Sequence, residues 1–341
     1  MRRDFVKNIT AISAVGAMTK NIAGKPLTDT LGKESNTDRN TAIRPRAITM
    51  WDFSWIERRW PGAGYENWDV ALDELMERGY NAVRIDAFPH LVADNQWKQW
   101  TLHEVWGIQN WGSPDINKVR IQPGLNTFIA KCRDRGIKVG LSSWYREDAE
   151  NIRMNITTAE KHADIWLETL KSIERDDLLD NIFFVDLCNE WPGDLWAPFF
   201  QNDPPHLTWG YWHTQKSMQW MKTAVERVRQ EYPDLLINFS LDNTDVEQYS
   251  EKDLSFFDFA EHHIWMVKEN DNEFYREVRQ RSKTANRPVD IDGLFSRQVY
   301  KNLVAEYNGI YTEKPDYWKK LLTDKIHLVA EHTANAGLPL V

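Results

Sequence analysis

The sequence lacks the features that mark several classes of protein. Only two of its 341 residues are cysteines, Cys132 and Cys188, which are too few for a disulfide framework and lack metal-ligand spacing. It has no basic stripe, and its formal net charge of −9 argues against a nucleic-acid partner. No segment is apolar over a length that could span a membrane. What remains, 42% hydrophobic and 27% charged residues, is typical of a globular protein.

The first 45 residues differ in character from the rest of the chain. Arg2 and Arg3, followed by Phe5 and Lys7, precede a mildly apolar stretch over residues 9–18, and this order resembles a twin-arginine export signal. The alternative is a frayed basic arm. We predict an export signal over residues 1–24, a polar disordered spacer over 25–45, and a periplasmic or secreted protein.

From residue 46 onward, strand and helix patterns alternate. Apolar runs predict strands at 47–53, 81–86, 137–143, 182–188, 235–241 and 257–263, and a further strand begins at 338. Amphipathic spacing predicts helices at 68–78, 125–135, 158–174, 212–231 and 317–336. Such alternation indicates an α/β fold with a parallel sheet. An open doubly wound sheet would carry a Gly-rich phosphate turn after its first strand, where this chain has Trp51-Asp52-Phe53. We therefore predict a (β/α)8 TIM barrel over residues 46–341.

Polar and aromatic residues gather where the predicted strands end. The carboxyl end of the strands is the face that carries the active site in TIM barrels. The chain has 17 Trp residues, and several follow strands directly, where a core Trp is less expected. Flat aromatic faces in such places suit the apolar faces of pyranose rings. These positions predict a carbohydrate substrate and the following substrate-binding residues: Trp51, Asp52, Trp144, Trp191, Asp242, His263 and Trp265.

Three of these motifs, taken in order, resemble a known enzyme family. Val83-Arg84-Ile85 on the second strand, Asn189-Glu190 after the fourth, and His263-Ile264-Trp265 after the sixth are similar to motifs of the cellulase-like (β/α)8-barrel glycoside hydrolases of glycoside hydrolase family 5 and its clan A. The last motif has Trp in place of the family's Tyr. The dipeptide Asn-Glu is common by itself, so the resemblance depends on the correct order along the chain.

The resemblance implies a retaining glycosidase acting on O-glycosidic bonds of a poly- or oligosaccharide. Such enzymes use two carboxyl groups about 5–5.5 Å apart. Glu190 would be the proton donor and then the general base, which requires a pKa near the working pH. Asn189 would bind the 2-hydroxyl of the sugar, and Arg84 would orient the nucleophile. Arg84 could instead be a buried partner of Asp86 or Asp52. No metal and no other cofactor is expected.

The expected nucleophile has no counterpart in this sequence. By resemblance it is a Glu at the end of the seventh strand, but that strand begins at Leu338 and the sequence shown stops at Val341, before an eighth strand. Three interpretations are open: a fragment of a longer protein, which we favour, an inactive truncated product, or replacement by Asp242 or Glu261. Glu261 is expected to point outward by strand alternation, and Asp242 to bind a sugar hydroxyl or an arginine.

Two other functional classes remain open. One is a non-catalytic or inactivated carbohydrate-binding barrel, which the unmatched nucleophile favours. The other is a metal-dependent sugar-processing barrel, with Glu190, Asp242, His262 and His263 as ligands. Against the metal site, adjacent His262 and His263 should point to opposite faces of their strand. The sugar, its anomer and endo or exo action depend on loop shapes that the sequence leaves open.

Overall fold

We describe the protein from a computed structural model, which covers residues 48–50, 53–105, 112–113, 116–201, 211–242, 245–264, 273–284 and 297–341. Every described residue belongs to one unit of the chain, residues 45–341. The predicted export signal and spacer, together with Trp51, Asp52 and Trp265, lie outside the described residues.

The centre of the fold is a parallel sheet, in which five regular strands and two bridged segments pair in the order of the chain. Its five regular strands pair in the order β1-β2-β5-β6-β7. Two isolated parallel bridges, Leu241 with His262 and Ala260 with Leu340, continue the same order beyond β7. A separate antiparallel hairpin pairs β3 with β4. The strands are β1 Ile48–Met50, β2 Ala82–Asp86, β3 Gln99–Leu102, β4 Asn117–Arg120, β5 Lys138–Ser142, β6 Ile182–Asp186 and β7 Ile237–Asn238.

The strand order identifies the architecture. Each strand of the parallel sheet pairs with the next strand of that same sheet along the chain, and the described part of the chain contains no reversal of that order. A doubly wound sheet reverses its order at a switch point, whereas a (β/α)8 barrel keeps one direction. The predicted α/β fold with a parallel sheet is therefore confirmed, and its order is the one that a barrel uses.

Helices connect the strands, and local sequence signals set where they begin and end. Asn67, Thr158 and Thr214 cap their helices by accepting hydrogen bonds from backbone N–H groups of the first turn. Gly79 and Gly136 follow helix ends with positive φ, a conformation that favours glycine. The helices are Ser54–Glu57, Trp68–Glu77, Pro89–Asn95, Gly124–Arg133, Ala159–Glu174, Pro198–Gln201, Gln215–Glu231, Glu273–Thr284, Arg297–Glu313 and Pro315–Asn335.

Close packing between neighbouring strands depends on one glycine. Gly140 on β5 lies opposite Phe184 on β6. A Cβ atom at residue 140 would lie 2.7 and 2.8 Å from the Cε1 and Cε2 atoms of the Phe184 ring, which is closer than real Cβ contacts. The large ring therefore packs against the backbone of β5 only because residue 140 has no side chain.

The structure differs from the prediction in the lengths of some strands and in one loop. The segment predicted as a strand at 257–263 pairs only through isolated bridges, and β7 is shorter than predicted. The aromatic loop after β2 contains the helix Pro89–Asn95 and the β3–β4 hairpin, with Trp100 buried and Trp97 exposed. None of the helices described is both long and apolar enough to cross a membrane.

Candidate active site

A buried arginine lies at the centre of the polar side chains inside the sheet. Arg84 on β2 is 2% exposed. Its Nη2 donates hydrogen bonds to Asp186 on β6, to Asn189 Oδ1 at 3.1 Å and to Ser240 Oγ at 3.1 Å. Its Nε lies 2.8 Å from Glu261 Oε1. One guanidinium thus ties together β2, the end of β6 and the segments that follow β7.

Asp186 is the main acceptor beneath this arginine. Besides Arg84, its Oδ2 accepts from Ser142 Oγ at 2.6 Å and from Ser240 Oγ at 2.9 Å, and its Oδ1 accepts from the Ser240 backbone N–H at 2.7 Å. The Cys188 N–H also reaches Oδ1, at 3.3 Å. Because a buried carboxylate needs such partners, these contacts fix both Arg84 and the end of β6.

Glu190 follows β6 in a turn that its neighbours hold. Its φ of +48° lies in the left-handed region, which costs energy for a non-glycine residue and is found at functional sites. Its backbone N–H donates to Ser240 Oγ at 3.0 Å, and its carbonyl accepts from the Gly193 N–H at 2.8 Å. The side chain accepts from Trp196 Nε1 at 3.4 Å. The turn therefore directs the carboxyl group of Glu190 into the site.

His263 connects Glu190 to a second carboxylate. Its Nδ1 lies 3.1 Å from Glu190 Oε1, and its Nε2 lies 3.5 Å from Glu261 Oε1. Burial alone would lower the pKa of His263, but the hydrogen bonds and charges of these carboxylates raise it to about 9. Burial would raise the pKa of Glu261, yet Arg84 and His263 hold it below its usual value. At neutral pH the site contains a protonated imidazole beside an ionised Glu261.

The site borders an open cavity. The cavity has a volume of about 330 Å³, and Arg84, Glu261 and His263 line it together with Ile48, Phe184, His262, Ile264 and Val341. Four of these residues come from the segment 261–264, and the others come from β1, β2, β6 and the end of the described chain. The charged groups are thus buried in the fold but face a space that a small polar molecule could enter.

Four of the residues predicted from sequence come together. Arg84 bonds to Asn189, His263 contacts Glu190, and Glu261 joins the two pairs by contacting both Arg84 and His263. Because Asn189 Oδ1 accepts from Arg84, its amide nitrogen is left to donate elsewhere. Trp144 also belongs to the site, but as a buried ring 4.6 Å from the Arg84 guanidinium. It therefore packs on the arginine, a different contact from the predicted stacking on a sugar.

One predicted substrate contact, Trp191, lies in an aromatic cluster away from Arg84. Trp191 is 1% exposed, packs against aromatic rings such as Trp220 and Phe200, and donates through Nε1 to Ser217 Oγ. This placement leaves no ring face for a sugar and corrects the prediction for Trp191. Asp242 is buried near Tyr249. Burial and the negative charges of Glu261 and Asp242 raise the pKa of Tyr249.

Glu261 was expected to point outward, and that expectation is wrong. Alternation places residues two apart on the same face, so Glu261 shares the interior face with His263, whereas His262 packs against Tyr249. Counting alternation from His263 would have given this result. The alternative pairing of Arg84 with Asp86 is also wrong, because Asp86 accepts from the backbone N–H groups of Phe88 and Trp144.

Three residues of the site went unrecognised in the sequence: Asp186, Trp196 and Ser240. Asp186 lies four residues before Glu190 within the same strand motif, and that spacing was the available signal. As to metals, within the described ranges no three His, Cys, Asp or Glu side chains are grouped as ligands.

The chain is similar to known proteins at two levels. A family model described as "Cellulase-like: Sugar-binding cellulase-like" matches residues 48–341. The crystal structure of a candidate glycoside hydrolase from Parabacteroides distasonis is 55% identical, with 88% of this chain and 76% of that chain covered and a TM-score of 0.80. No curated protein matches.

More distant solved structures are also similar. An endocellulase from Pyrococcus horikoshii, solved with cellotetraose, is 18% identical over 61% of this chain and 54% of its own, with a TM-score of 0.35. An exo-β-1,4-mannosidase from an Opitutaceae bacterium is 15% identical over 65% and 38%, with a TM-score of 0.38. From the family match and the 55% identical structure, we conclude that this chain belongs to the sugar-binding cellulase-like family.

Proposed function

We propose that this protein is a retaining glycoside hydrolase that cleaves O-glycosidic bonds of a poly- or oligosaccharide, with Glu190 as acid and base. One observation carries the proposal: Glu190 and Asn189 follow the same strand, and their hydrogen-bond partners His263 and Arg84 line an open cavity. The family match and the 55% identical candidate glycoside hydrolase support the general class of activity.

In the proposed reaction, the Glu190 carboxyl group donates its proton to the glycosidic oxygen as the bond to the anomeric carbon breaks. A second carboxylate attacks that carbon, and water, deprotonated by Glu190, then releases the sugar. Asn189 would donate its amide N–H to the sugar 2-hydroxyl. The resemblance places the second carboxylate on the strand that begins at Leu338, and Leu340 pairs with Ala260 in parallel, next to Glu261.

The test is Glu190→Gln in the full chain, measured against soluble β-1,4-glucans and mannans by release of reducing ends. We expect hydrolysis to fall by roughly 10²–10⁴-fold, the usual contribution of general acid–base catalysis. The loss in the bond-breaking step should be smaller on 2,4-dinitrophenyl glycosides, whose leaving group needs no proton. Glu247→Gln, which changes an exposed carboxylate, is the matched control. Normal turnover by Glu190→Gln would remove Glu190 from the mechanism.

A second candidate function is carbohydrate binding without hydrolysis. It is favoured by the words "sugar-binding" in the description of the matched family. Isothermal titration of the wild-type protein with the same polysaccharides separates the two functions. Binding without release of reducing ends, and unaffected by Glu190→Gln, would favour the binding protein.

We also propose export through the twin-arginine route. The support is the order of Arg2, Arg3, Phe5 and Lys7 before an apolar stretch. Replacing both arginines by lysine should retain the protein inside the cell, as fractionation would show. Unchanged export of that variant would contradict the proposal.

A further inference from the structure

The imidazole of His263 lies between two carboxylates. Its Nδ1 faces Glu190 Oε1 at 3.1 Å, and its Nε2 faces Glu261 Oε1 at 3.5 Å. A neutral imidazole carries a proton on only one nitrogen, whereas the imidazolium ion can donate from both. The geometry therefore matches a protonated His263 that donates to both carboxylates.

Glu261 is held in place independently of His263. Its Oε1 lies 2.8 Å from Arg84 Nε, and its side chain is 10% exposed. Arg84 is itself anchored to Asp186 on β6 and to Ser240, which follows β7. Because the arginine is fixed and cationic, Glu261 is an anion held beside the Nε2 atom of the imidazole.

The other charged groups around His263 either favour or oppose its protonation. Arg84, from β2, opposes the protonation of His263, and Glu190, from the end of β6, favours it. Asp186 offsets the charge of Arg84 from β6. Asp242 acts on Tyr249, which packs against His262 on the other side of the segment. Glu190 raises the pKa of His263 most, and Glu261 adds to that rise while it also pairs with Arg84.

We propose that Glu261 is a positioning residue, which keeps His263 protonated and so holds the carboxyl group of Glu190 in its working orientation. The inference rests on the proposed function, because only Glu190 would touch the substrate. The contacts distinguish this role from that of an attacking group: Glu261 Oε1 is shared by Arg84 and His263, and the imidazole ring lies between Glu261 and Glu190.

The first test follows the proton on His263 by NMR of the full chain labelled with ¹³C,¹⁵N-histidine. The His263 signal is assigned as the one that disappears in His263→Gln. In the wild type we expect a pKa near 9. In Glu261→Gln it should fall toward the ordinary value of about 6.5, while Glu261→Asp should restore part of the difference. Glu247→Gln, an exposed change, should leave the signal unmoved.

The second test is the pH dependence of kcat/KM on a soluble substrate. In Glu261→Gln, activity should be lost on the alkaline side with a midpoint at the new pKa of His263. A merely structural loss would lower kcat/KM by the same factor at every pH. An unchanged His263 titration in Glu261→Gln, or a uniform loss of activity, would overturn the inference.

The two proposals fail in different ways. If the wild type hydrolyses no glycoside, the proposed function falls, but the NMR titration still decides whether Glu261 keeps His263 protonated. If the wild type is active and His263 titrates at or below 6.5, only the role of Glu261 is refuted. That wild-type measurement also decides the question should Glu261→Gln fail to fold.

Discussion

Arg84 on β2 and Asp186 on β6 form an ion pair across 102 residues of sequence, inside a sheet where neither side chain is more than 2% exposed. These strands are not neighbours, since β5 lies between them. The pair therefore passes over β5 and joins two strands of the sheet that do not pair with each other.

Removing one partner of this pair should be costly. Asp186→Ala would leave a buried guanidinium with fewer acceptors, and we expect the free energy of unfolding to fall by about 3–5 kcal/mol. Urea denaturation measures it. The control is Glu74→Ala, which breaks the exposed pair with Arg78 and should cost less than about 1 kcal/mol. Equal losses in the two variants would show that the buried pair contributes no more to the free energy of unfolding than the exposed pair does.

Ser240→Ala should destabilise the turn at Glu190. The Ser240 hydroxyl accepts from Arg84 and from the Glu190 N–H and donates to Asp186, and all these groups are buried. Because these groups would each lose a hydrogen-bond partner, the free energy of unfolding should fall by roughly 1–3 kcal/mol. Thermal or urea unfolding measures it. Ser255→Ala, at an exposed position, should change stability by less than about 0.5 kcal/mol. A neutral Ser240→Ala would mean that water or a rearranged neighbour replaces the hydroxyl.

The stability of the protein should fall between neutral and alkaline pH because of His263. Its pKa is about 9 in the folded protein and about 6.5 when unfolded, so its contribution is complete below pH 6.5 and is lost as pH rises through 9. The largest contribution from that difference is roughly 3 kcal/mol. Urea unfolding at pH 6 and pH 9.5 measures it, and His263→Gln should show a smaller difference. The same pH dependence in both proteins would contradict the assignment.

Two glycine substitutions should have opposite effects. In Gly140→Ala the new methyl group would overlap the Phe184 ring, and we expect a loss of about 1–3 kcal/mol. Gly309 lies within the helix Arg297–Glu313 with nothing near its Cβ position, so Gly309→Ala should stabilise by about 0.5–1 kcal/mol. Thermal unfolding of both variants tests the pair. A stable Gly140→Ala would show that the Phe184 ring can move aside.

Much of the fold could be predicted because its signals are local. Apolar runs mark β2, β5 and β6, and Thr158 marks the start of its helix. The convergence of Arg84, Glu190 and His263 also followed from the pattern, since the carboxyl ends of parallel strands lie at the same end of a sheet. Such inferences require only strand order and direction.

What could not be predicted depends on side-chain direction after a strand has ended. At Glu190 the backbone turns through a left-handed conformation, and the next residue, Trp191, enters the aromatic cluster with Trp220. A pattern of residue types does not specify such a turn. The partners of Arg84 were equally hidden, because Asp186 and Glu261 are acidic residues like many others until the strands are paired.

The chain-ordered sheet also bears on how the protein is made. Each strand of the parallel sheet pairs with the strand of that sheet synthesised before it, in the order β1, β2, β5, β6, β7 and on to Leu340. On a ribosome, which releases the N-terminal part first, every new strand would find its docking edge already present. The sheet would then grow one strand at a time. Arg84 on β2 would lack its partner carboxylate until Asp186 has been synthesised.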